Sequence, residues 1–463
     1  MLESAPRRVA TVWGDEHEAV DAAVRWAIHR VVRPSNPKAT ARPAADLAAA
    51  AGATITPEGI GAEAALQVFT EILEPATRAQ DDPMNLAYIP AAPTRAAIAF
   101  DLVTSSANIF GGLWEAGAGA IWAENQALRW IADLLGWGPE AMGCFVSGGT
   151  TGNLSALAAA RHRALTARGS RPAEGWQVAC SAGAHSSIAA AARILDVEVI
   201  DVPEDDEGHL TGAALREVVT DTSRLFAVVA SAGTTNAGVI DDLHGVADFC
   251  DEHRIWLHVD GAYGGAGLVS PTLRPQYAGI ERADSFIVDP HKWLFAPYDC
   301  CALVYHHGST ATAAHAQHAS YLDKVDRDAA NPADLAIHLS RRVRGLSFWF
   351  SLATHGTDRY AAAVDRTVAI AREVADGIEA TSHLRLLKAP ELTVMLFERP
   401  GWTSEDYRQW SDDLAKAGVM LCVPTQWHGR PVLRLAFVNP ESDPAQVLTV
   451  LRETLTPDHH VPA

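Results

Sequence analysis

Two patterns of apolar and polar positions follow one another along the chain. Before residue 85, HEAVDAAVRWAIHRVV and GAEAALQVFTEILEPA have the apolar spacing of helices, and a segment rich in proline and alanine joins them. From about 120 to 305, short apolar runs such as WQVACS, VEVIDVP and LFAVVASAGTT alternate with helical stretches such as SSIAAAARIL and DLHGVADFCDEH. Strands that alternate with helices over this length predict an α/β domain whose mostly parallel sheet has helices on both faces.

A second α+β pattern begins near residue 345, where TVAIAREVADGIEA and SEDYRQWSDDLAKAG predict helices and LTVMLFER and VLRLAFVNP predict strands. We therefore predict three parts: an N-terminal helical segment over residues 1–85, a large domain over 86–345 and a small C-terminal α+β domain over 346–463. Two helices joined by a proline-rich segment make a poor independent domain. We expect residues 1–85 to pack on something else, such as a second subunit.

Composition narrows the class of partner. The chain has 463 residues, of which 48% are hydrophobic and 20% charged, as in an ordinary soluble globular protein. Its net charge of −19 argues against nucleic acid or an anionic membrane as a partner, because both attract basic surfaces. The N-terminus lacks the apolar core of a signal peptide, and no apolar run approaches the ~18 residues of a membrane span. The six cysteines are scattered without CxxC spacing, so we predict reduced thiols, no metal site and a cytoplasmic protein.

One lysine stands between two apolar stretches. In SFIVDPHKWLFAPYDCCALVY, residues 285–305, an apolar run predicts a short buried strand, and Lys292 lies between this run and a second apolar stretch. The lysine could extend its ammonium into water from the strand end. It could instead be a desolvated amine that forms a Schiff base with a carbonyl cofactor. This stretch alone leaves both interpretations open.

Two further motifs place polar residues directly after apolar strands. VSGGTTGN, residues 146–153, has the glycines and the helix start of a phosphate-binding turn, or it is a turn in which Thr150 or Thr151 caps the helix. In LHVDGAYGG, Asp260 ends a strand, and a buried carboxylate there needs a partner. That partner could be a pyridinium N–H or the start of the next helix.

A histidine and two threonines occupy similar places. In SAGAHSSIAAA, His185 could stack on a flat ring or cap the helix that begins near Ser186. In SAGTTNAG, the hydroxyls of Thr234 and Thr235 could reach a phosphate or a ring oxygen, or cap a helix. Together, a phosphate loop, an imidazole, hydroxyls, an aspartate and a lysine at successive strand ends of one sheet are the parts that pyridoxal phosphate needs.

The order and wording of these motifs resemble the group II pyridoxal-phosphate-dependent amino-acid decarboxylases, which have fold type I, the aspartate-aminotransferase-like fold. The resemblance covers nearly the whole chain, and HVDGAYGG with DPHKWL is quite specific. It implies a Schiff-base lysine at Lys292, a partner of the pyridine nitrogen at Asp260 and a ring-stacking imidazole at His185. The other cofactor contacts that it implies are phosphate contacts from Gly149, Thr150 and His291, a contact with the opposite ring face from Ala262, and a nearby hydroxyl from Thr235.

The cofactor does not fix the reaction, because pyridoxal phosphate supports decarboxylation, transamination, racemisation and elimination. SYLDK, followed by LSRRVRGLSFWF, resembles the family's catalytic loop and the helix after it. Tyr321 then matches the tyrosine that the family associates with protonating the carbanion, and relatives with phenylalanine there tend towards aldehyde formation. Tyr321 therefore favours decarboxylation to an amine and CO2, the alternative being a surface tyrosine on a loop. Arg341 matches an arginine after that loop, for which we expect a structural or loop-anchoring role.

One residue departs from the resemblance. Asp289 stands where the animal and plant aromatic enzymes usually carry asparagine. A carboxylate close to a phosphate is unfavourable unless it is hydrogen-bonded or turned away, so the role of Asp289 is open.

The resemblance also implies an assembly. In the family the cofactor site forms at a dimer interface, and the N-terminal segment wraps around the partner. We therefore predict a homodimer, which agrees with the poor independence of residues 1–85.

The substrate pocket is predicted from two apolar segments. NLAYIPAAPT resembles the family segment that lines the pocket, and NIFGGLWEAGAGAIWAENQ lies nearby. The predicted substrate contacts are Tyr88, Ile89, Pro90, Phe110 and Trp114. This lining suits an aromatic or bulky apolar L-amino acid, and Arg95, the nearby basic residue, is expected on a helix surface. Aliphatic or acidic substrates, an aminotransferase, a carbon–carbon lyase, an aldehyde synthase and an inactive cofactor-binding scaffold remain as alternatives.

Overall fold

The computed structural model describes residues 17–316 and 331–456. Its N-terminal part is helical, with α1 at His17–Val32, α2 at Ala44–Ala51 and α3 at Ala62–Val68, the last followed by a π-helical turn and a 3-10 turn. The sequence analysis did not identify α2, which lies in the proline- and alanine-rich segment. No side chain of these three helices is fully buried, so their apolar residues are at most partly covered by the described part of the chain.

The large domain is built on a seven-stranded sheet. Its strands are β1 Met142–Val146, β2 Trp176–Ser181, β3 Val197–Val202, β4 Leu225–Ser231, β5 Trp256–Asp260, β6 Ser285–Val288 and β7 Cys301–Tyr305. They lie side by side in the order β1-β7-β6-β5-β4-β2-β3, and β7 runs antiparallel to both of its neighbours. The predicted mostly parallel sheet is therefore confirmed, and β7 is an additional strand that the sequence analysis did not separate from the lysine motif.

Helices cover both faces of this sheet. The helices of this domain are α4 Arg95–Ala107, α5 Trp114–Leu134, α6 Gly149–Arg168, α7 Ser186–Leu195, α8 Gly212–Val218, α9 Leu243–His253 and α10 Gly308–His315, of which α5 to α10 pack against the strands. Side chains of β5 alternate between the two resulting cores: Leu257 and Val259 pack in one, and Trp256 in the other. This alternation follows from the two-residue period of a strand that is buried on both faces.

The C-terminal part adds four helices and a second sheet. The helices are α11 Leu346–His355, α12 Thr357–Glu379, α13 Ser404–Ala417 and α14 Pro444–Thr454, and the strands are β8 Arg385–Leu386, β9 Val394–Glu398, β10 Val423–Trp427 and β11 Arg430–Ala436. The strands pair antiparallel in the order β10-β11-β9-β8. The predicted smaller α+β unit is thus present, with a core of its own. The predicted boundaries at 85 and 345 stay predictions.

Two connections cross between the large and small units. The first half of α12 packs in the large-domain core through Val364 and Val368, and its second half packs in the small core through Val374 and Ile378. The backbone of Leu86 also joins the small unit, because its N–H donates to the oxygen of Leu421 at 2.9 Å. Within residues 17–316 and 331–456, no helix is both long enough and apolar enough to cross a membrane.

Candidate active site

Three segments meet at the carboxyl ends of the parallel strands. They follow β1, β5 and β6, and they carry Gly149, Ala262 and Asp289. A Cβ atom added to Gly149 would lie 3.3 Å from the Cβ of Ala262 and 3.3 Å from Oδ2 of Asp289. The backbone N–H of Asp289 donates to the oxygen of Ala262 at 3.0 Å. Ligands of open α/β sheets bind at this edge, so the motifs predicted from sequence come together where a site is expected.

Lys292 pairs with a buried carboxylate. Its Nζ lies 2.9 Å from Oδ2 of Asp289, whose side chain is 2% exposed, whereas that of Lys292 is 21% exposed. The turn between the two residues, in which Lys292 N–H donates to Asp289 O at 2.9 Å, brings the two side chains onto the same side. Burial acts to lower the pKa of Lys292, but the charge of Asp289, its hydrogen bond and the charge of Asp260 together raise the pKa. The ammonium therefore faces a buried acid and not bulk water.

The same carboxylate is the departure noted in the sequence. Burial acts to raise the pKa of Asp289, but Lys292 and His291 beside it hold the pKa below its ordinary value. Nε2 of His291 lies 3.5 Å from Oδ2 of Asp289. Oδ1 of Asp289 is buried without a hydrogen-bond partner among the described residues. Asp289 thus acts as the counter-ion of Lys292.

Asp260 lies at the end of β5 with both carboxylate oxygens engaged. Oδ2 accepts a hydrogen bond from Nδ2 of Asn153 at 2.8 Å, and Oδ1 accepts one from the N–H of Ala262 at 3.0 Å. The 3-10 helix that follows, Gly264–Val269, has no side-chain cap, so Asp260 does not cap it. A carboxylate has about four lone-pair sites, which leaves room for another donor.

His185 occupies the N-cap position of α7. Its Nδ1 lies 2.8 Å from Oγ of Ser187 and accepts the N–H of Ser187 at 3.2 Å. The predicted capping alternative is therefore correct as a description of the contact. It does not exclude a stacking role, because the ring is exposed and Ser187 connects it to Asn153 at 2.9 Å.

The predicted phosphate loop forms the first turn of α6. The N-cap is Gly148 and no side chain caps the helix, so the alternative in which Thr150 or Thr151 caps it is wrong; Thr151 instead bonds Ser147 through its hydroxyl at 2.9 Å. The N–H groups of Thr151 and the next residue bond the oxygen of Gly148. Those of Gly149 and Thr150 have no acceptor among the described residues, as expected at a helix N-terminus.

His291 lies beside this loop. A Cβ atom added to Gly148 would lie 4.0 Å from Cε1 of His291. Nδ1 of His291 lies 2.7 Å from the backbone oxygen of Cys300, and its ring packs on Tyr298 with a centroid distance of 4.7 Å. The ring is thereby fixed against the loop after Lys292.

A second group of residues surrounds Arg434 of β11. This buried guanidinium donates to the backbone oxygen of Thr235 at 2.9 and 2.6 Å and to that of Tyr88 at 2.7 Å. Burial lowers its pKa to about 10. Among the described residues it has no acidic partner. Sequence analysis missed Arg434, although a charged residue at the centre of the apolar run VLRLAFV is a signal for such a site.

The predicted substrate contacts differ in burial and stay predictions. Ile89 and Pro90 are buried, whereas Tyr88 is 67% exposed with a φ of 54°. Phe110 and Trp114 are half-buried, and the N–H of Trp114 donates to Asn331 Oδ1 at 2.8 Å. Tyr321 lies outside the described residues.

Arg341 has the structural contacts that were expected of it. Its guanidinium forms two hydrogen bonds of 2.7 Å with the carboxylate of Glu124, and both side chains are buried. It also donates to the oxygen of Gly111 at 2.9 Å. The pair ties the segment after residue 331 to α5.

Pyridoxal phosphate fits the chemistry of these residues. Its aldehyde needs an amine, its protonated ring nitrogen needs an anion, and its phosphate needs N–H donors. Lys292, Asp260 and the first turn of α6 present one of each. Gly149 keeps open a space that even a methyl group would partly fill, since its Cβ would stand at tight contact distance from Ala262 and Asp289.

Comparison with known proteins agrees with this fit. A family profile described as the pyridoxal-dependent decarboxylase conserved domain matches residues 54–399. The chain is 28% identical over 388 residues to an aromatic-L-amino-acid decarboxylase of Bacillus atrophaeus, covering 80% of each chain. It is 31% identical over 370 residues to an L-2,4-diaminobutyrate decarboxylase of Rhizobium meliloti, covering 77% of this chain and 74% of that one.

The fold also has solved counterparts. The crystal structure of Oryza sativa TDC with PLP and tryptamine superposes with a TM-score of 0.87 at 24% identity, covering 96% of this chain and 98% of that one. At this identity the likeness establishes the shared fold, which is fold type I as predicted. Together with the profile match, it shows that the chain belongs to the pyridoxal-dependent decarboxylase family and is a carboxy-lyase that uses pyridoxal phosphate.

Proposed function

We propose that the protein converts an aromatic or bulky apolar L-amino acid into its amine and CO2. The observation that carries this choice is the apolar segment at Ile89 and Pro90, which is buried beside Tyr88. Arg95, the basic residue nearest in sequence, is exposed at the start of α4. A charged substrate side chain needs a buried partner to be bound out of water, and an apolar one does not. The relatives named above act on different amino acids, so the family alone leaves the side chain open.

We assign roles to the described residues as follows. When bound, pyridoxal phosphate supplies the electron sink that takes up the electron pair left by the departing CO2. Lys292 provides the amine that holds the cofactor's aldehyde carbon. Asp260 keeps a proton on the ring nitrogen, because its carboxylate has a free acceptor site. His185 covers one face of the ring, and the N–H groups of Gly149 and Thr150 hold the phosphate.

The proton that replaces the carboxyl group needs a donor. We assign this step to the phenol of Tyr321, whose Oη delivers a proton to the α carbon. Tyr321 lies outside the described residues, so the assignment rests on the loop motif. Without that proton, the α carbon would be open to oxidation by O2, and with water the products would be the aldehyde, ammonia and hydrogen peroxide in place of the amine.

Arg434 favours a second substrate class, the acidic amino acids. A guanidinium has five N–H donors, and three hydrogen bonds to backbone oxygens leave two for a ligand. Those two can bind a carboxylate. If Arg434 binds the α-carboxylate of the substrate, the aromatic assignment is unaffected. If Arg434 binds a carboxylate in the substrate's side chain, the substrate is an acidic amino acid.

We also propose a cytoplasmic homodimer. The apolar side chains of Val20, Ile28 and Val32 on α1 are more than half exposed, and a second subunit would cover them. All six cysteines are free and buried, which suits a reducing compartment. Light scattering tests the assembly: a monomer that holds cofactor would contradict it.

The deciding experiment incubates the cofactor-loaded protein with the twenty L-amino acids and follows products by mass spectrometry. Tryptamine, tyramine or phenethylamine as the main product would support the aromatic assignment. An amine from aspartate or glutamate would replace it with the acidic class. A keto acid, or an aldehyde with ammonia, would contradict the role given to Tyr321.

A further inference from the structure

Three polar or polar-tipped side chains lie along one face of β5. Trp256, His258 and Asp260 alternate with Leu257 and Val259, so they point to the same side of the sheet, towards α6. His258 is completely buried. Buried polar groups in the middle of a sheet are costly unless each has a hydrogen-bond partner. These three side chains therefore need hydrogen-bond partners from neighbouring helices and strands.

Those partners form one continuous chain of hydrogen bonds. The contacts are Trp256 Nε1 to Ser285 Oγ at 2.8 Å, Ser285 Oγ to His258 Nδ1 at 2.8 Å, His258 Nε2 to Asn153 Oδ1 at 2.8 Å, Asn153 Nδ2 to Asp260 Oδ2 at 2.8 Å, Asn153 Nδ2 to Ser187 Oγ at 2.9 Å, and Ser187 Oγ to His185 Nδ1 at 2.8 Å. This series of hydrogen bonds begins at Trp256, on the side of the sheet that faces α6. It ends at Asp260 and His185, the two residues assigned above to the cofactor. We call it the β5 relay.

The first end of the β5 relay is compatible with one direction of donation from Trp256 to Asp260. An indole N–H only donates, so Ser285 Oγ accepts from Trp256 and can give its own hydrogen to Nδ1 of His258. The proton of His258 then lies on Nε2 and is donated to Asn153 Oδ1. This leaves the amide nitrogen of Asn153 facing Asp260.

The other end requires the same direction. A carboxylate only accepts, so the group of Asn153 that faces Asp260 must be its NH2. The opposite amide orientation would set a carbonyl oxygen against the carboxylate. Burial lowers the pKa of His258 to about 4, which keeps the ring neutral with one donating and one accepting nitrogen. Both ends thus agree on a single arrangement of protons.

Asn153 is the branch point of the β5 relay. One hydrogen of its NH2 goes to Asp260 and the other to Ser187, whose hydroxyl contacts Nδ1 of His185. Nδ1 already accepts the N–H of Ser187, so the proton of His185 lies on Nε2, away from the helix. The amide of Asn153 therefore positions both Asp260, the partner of the ring nitrogen, and His185, which covers the ring face.

We propose that Asn153 and His258 are positioning residues for the cofactor, acting through Asp260 and His185. The proposal rests on the roles assigned above to those two residues. Asn153 and His258 need not touch cofactor or substrate. Their effect is to hold the Asp260 carboxylate and the His185 ring in one geometry and one state of hydrogen bonding, so that the ring nitrogen and ring face are engaged together.

The test compares His258→Leu, His258→Gln and the wild-type holoenzyme without substrate. Leucine removes both hydrogen-bonding nitrogens, whereas glutamine offers one donor and one acceptor. We expect the dissociation constant for pyridoxal phosphate to rise about ten- to a hundred-fold in His258→Leu, the size expected when buried groups lose their partners. The circular dichroism of the bound cofactor should weaken as well, and His258→Gln should recover most of both signals.

A matched control separates positioning from general destabilisation. Trp410 in α13 is also a buried tryptophan whose Nε1 donates to a hydroxyl, that of Thr454 at 2.8 Å, but it lies in the small core. Trp410→Phe should leave cofactor affinity and dichroism unchanged. Trp256→Phe, which removes only the first donor, should weaken both and serves if His258→Leu does not fold.

Three results would overturn the proposal. They are wild-type affinity and dichroism in His258→Leu, no difference between the glutamine and leucine variants, and equal effects of Trp410→Phe and Trp256→Phe. None of these readouts depends on which amino acid is decarboxylated. A failure of the substrate assignment and a failure of the β5 relay are therefore distinguishable.

Discussion

Replacing Asp289 by asparagine should make Lys292 a better nucleophile. Asparagine keeps the shape of the side chain but removes the charge 2.9 Å from the Lys292 ammonium. At an effective dielectric constant of about 20, unit charges at that separation attract by about 6 kcal/mol. The amide oxygen of the asparagine would still accept a hydrogen bond from Lys292, so part of this attraction is retained. If about half is lost, the pKa of Lys292 falls by about two units at 1.36 kcal/mol per unit.

The sign of the effect follows from the reaction of an amine with an aldehyde. Only the neutral amine attacks, and Asp289 favours the charged form because it raises the pKa of Lys292. At pH 7 the neutral fraction in Asp289→Asn should be about ten to a hundred times larger. The rate of covalent cofactor capture by the apo protein should rise by that factor, and its pH profile should move about two units towards acid.

Stopped-flow absorbance of apo protein mixed with pyridoxal phosphate measures this rate between pH 5 and pH 9. An unperturbed lysine is still charged throughout this range, so a larger neutral fraction shows directly as a faster rate. Asp284→Asn is a suitable control, because Asp284 is half-buried and pairs with Arg163 at 2.6 Å. The control should follow the wild-type profile. The reasoning fails if Asp289→Asn superimposes on wild type, or if both variants shift equally.

Further predictions concern the reaction and the fold. Tyr321→Phe should lower amine formation and yield aldehyde with ammonia, as detected by mass spectrometry; unchanged amine output would exclude Tyr321 as the proton donor. Arg434→Met should lower kcat/KM about a hundred-fold in steady-state assays if its free N–H groups bind the substrate, while cofactor absorbance is retained. Glu124→Gln should destabilise the protein by about 3–5 kcal/mol in urea unfolding, because it leaves Arg341 buried without its charged partner. Glu405→Gln, in an exposed pair, should change stability by less than about 1 kcal/mol.

Apolar patterning along the chain was enough to predict most of the large domain. The runs WQVACS and SFIVD form strands that are buried on both faces, which produces a continuous apolar signal. VEVIDVP forms the edge strand β3, which is only partly buried and carries acidic residues among its apolar ones. The β7 strand was missed because CALVY follows the lysine motif with a short connection, and the chain returns antiparallel. The helix α2 was missed because prolines on either side of AADLAAAA suggested a linker.

In the active site, too, some features could be predicted from the sequence and others could not. Residues that carry a motif, such as Asp260 and Lys292, could be placed at strand ends, and parallel strands bring those ends together. Asn153 could not be connected to Asp260 from sequence, because the two are 107 positions apart and their contact depends on how α6 lies on the sheet. The pairing of Asp289 with Lys292 was open for a related reason, since sequence did not show which way the carboxylate turns.

The path of α12 has a mechanical consequence. Its 23 residues form a rod about 34 Å long, anchored at one end in each core. The strand-like segment at Leu86 crosses the same boundary and is tied by backbone hydrogen bonds to Leu421 and Ala436. A rotation of the small unit relative to the large domain would therefore have to bend α12 and break these backbone hydrogen bonds together. Rigidity of this kind gives Arg434 a fixed position relative to the sheet that carries Lys292.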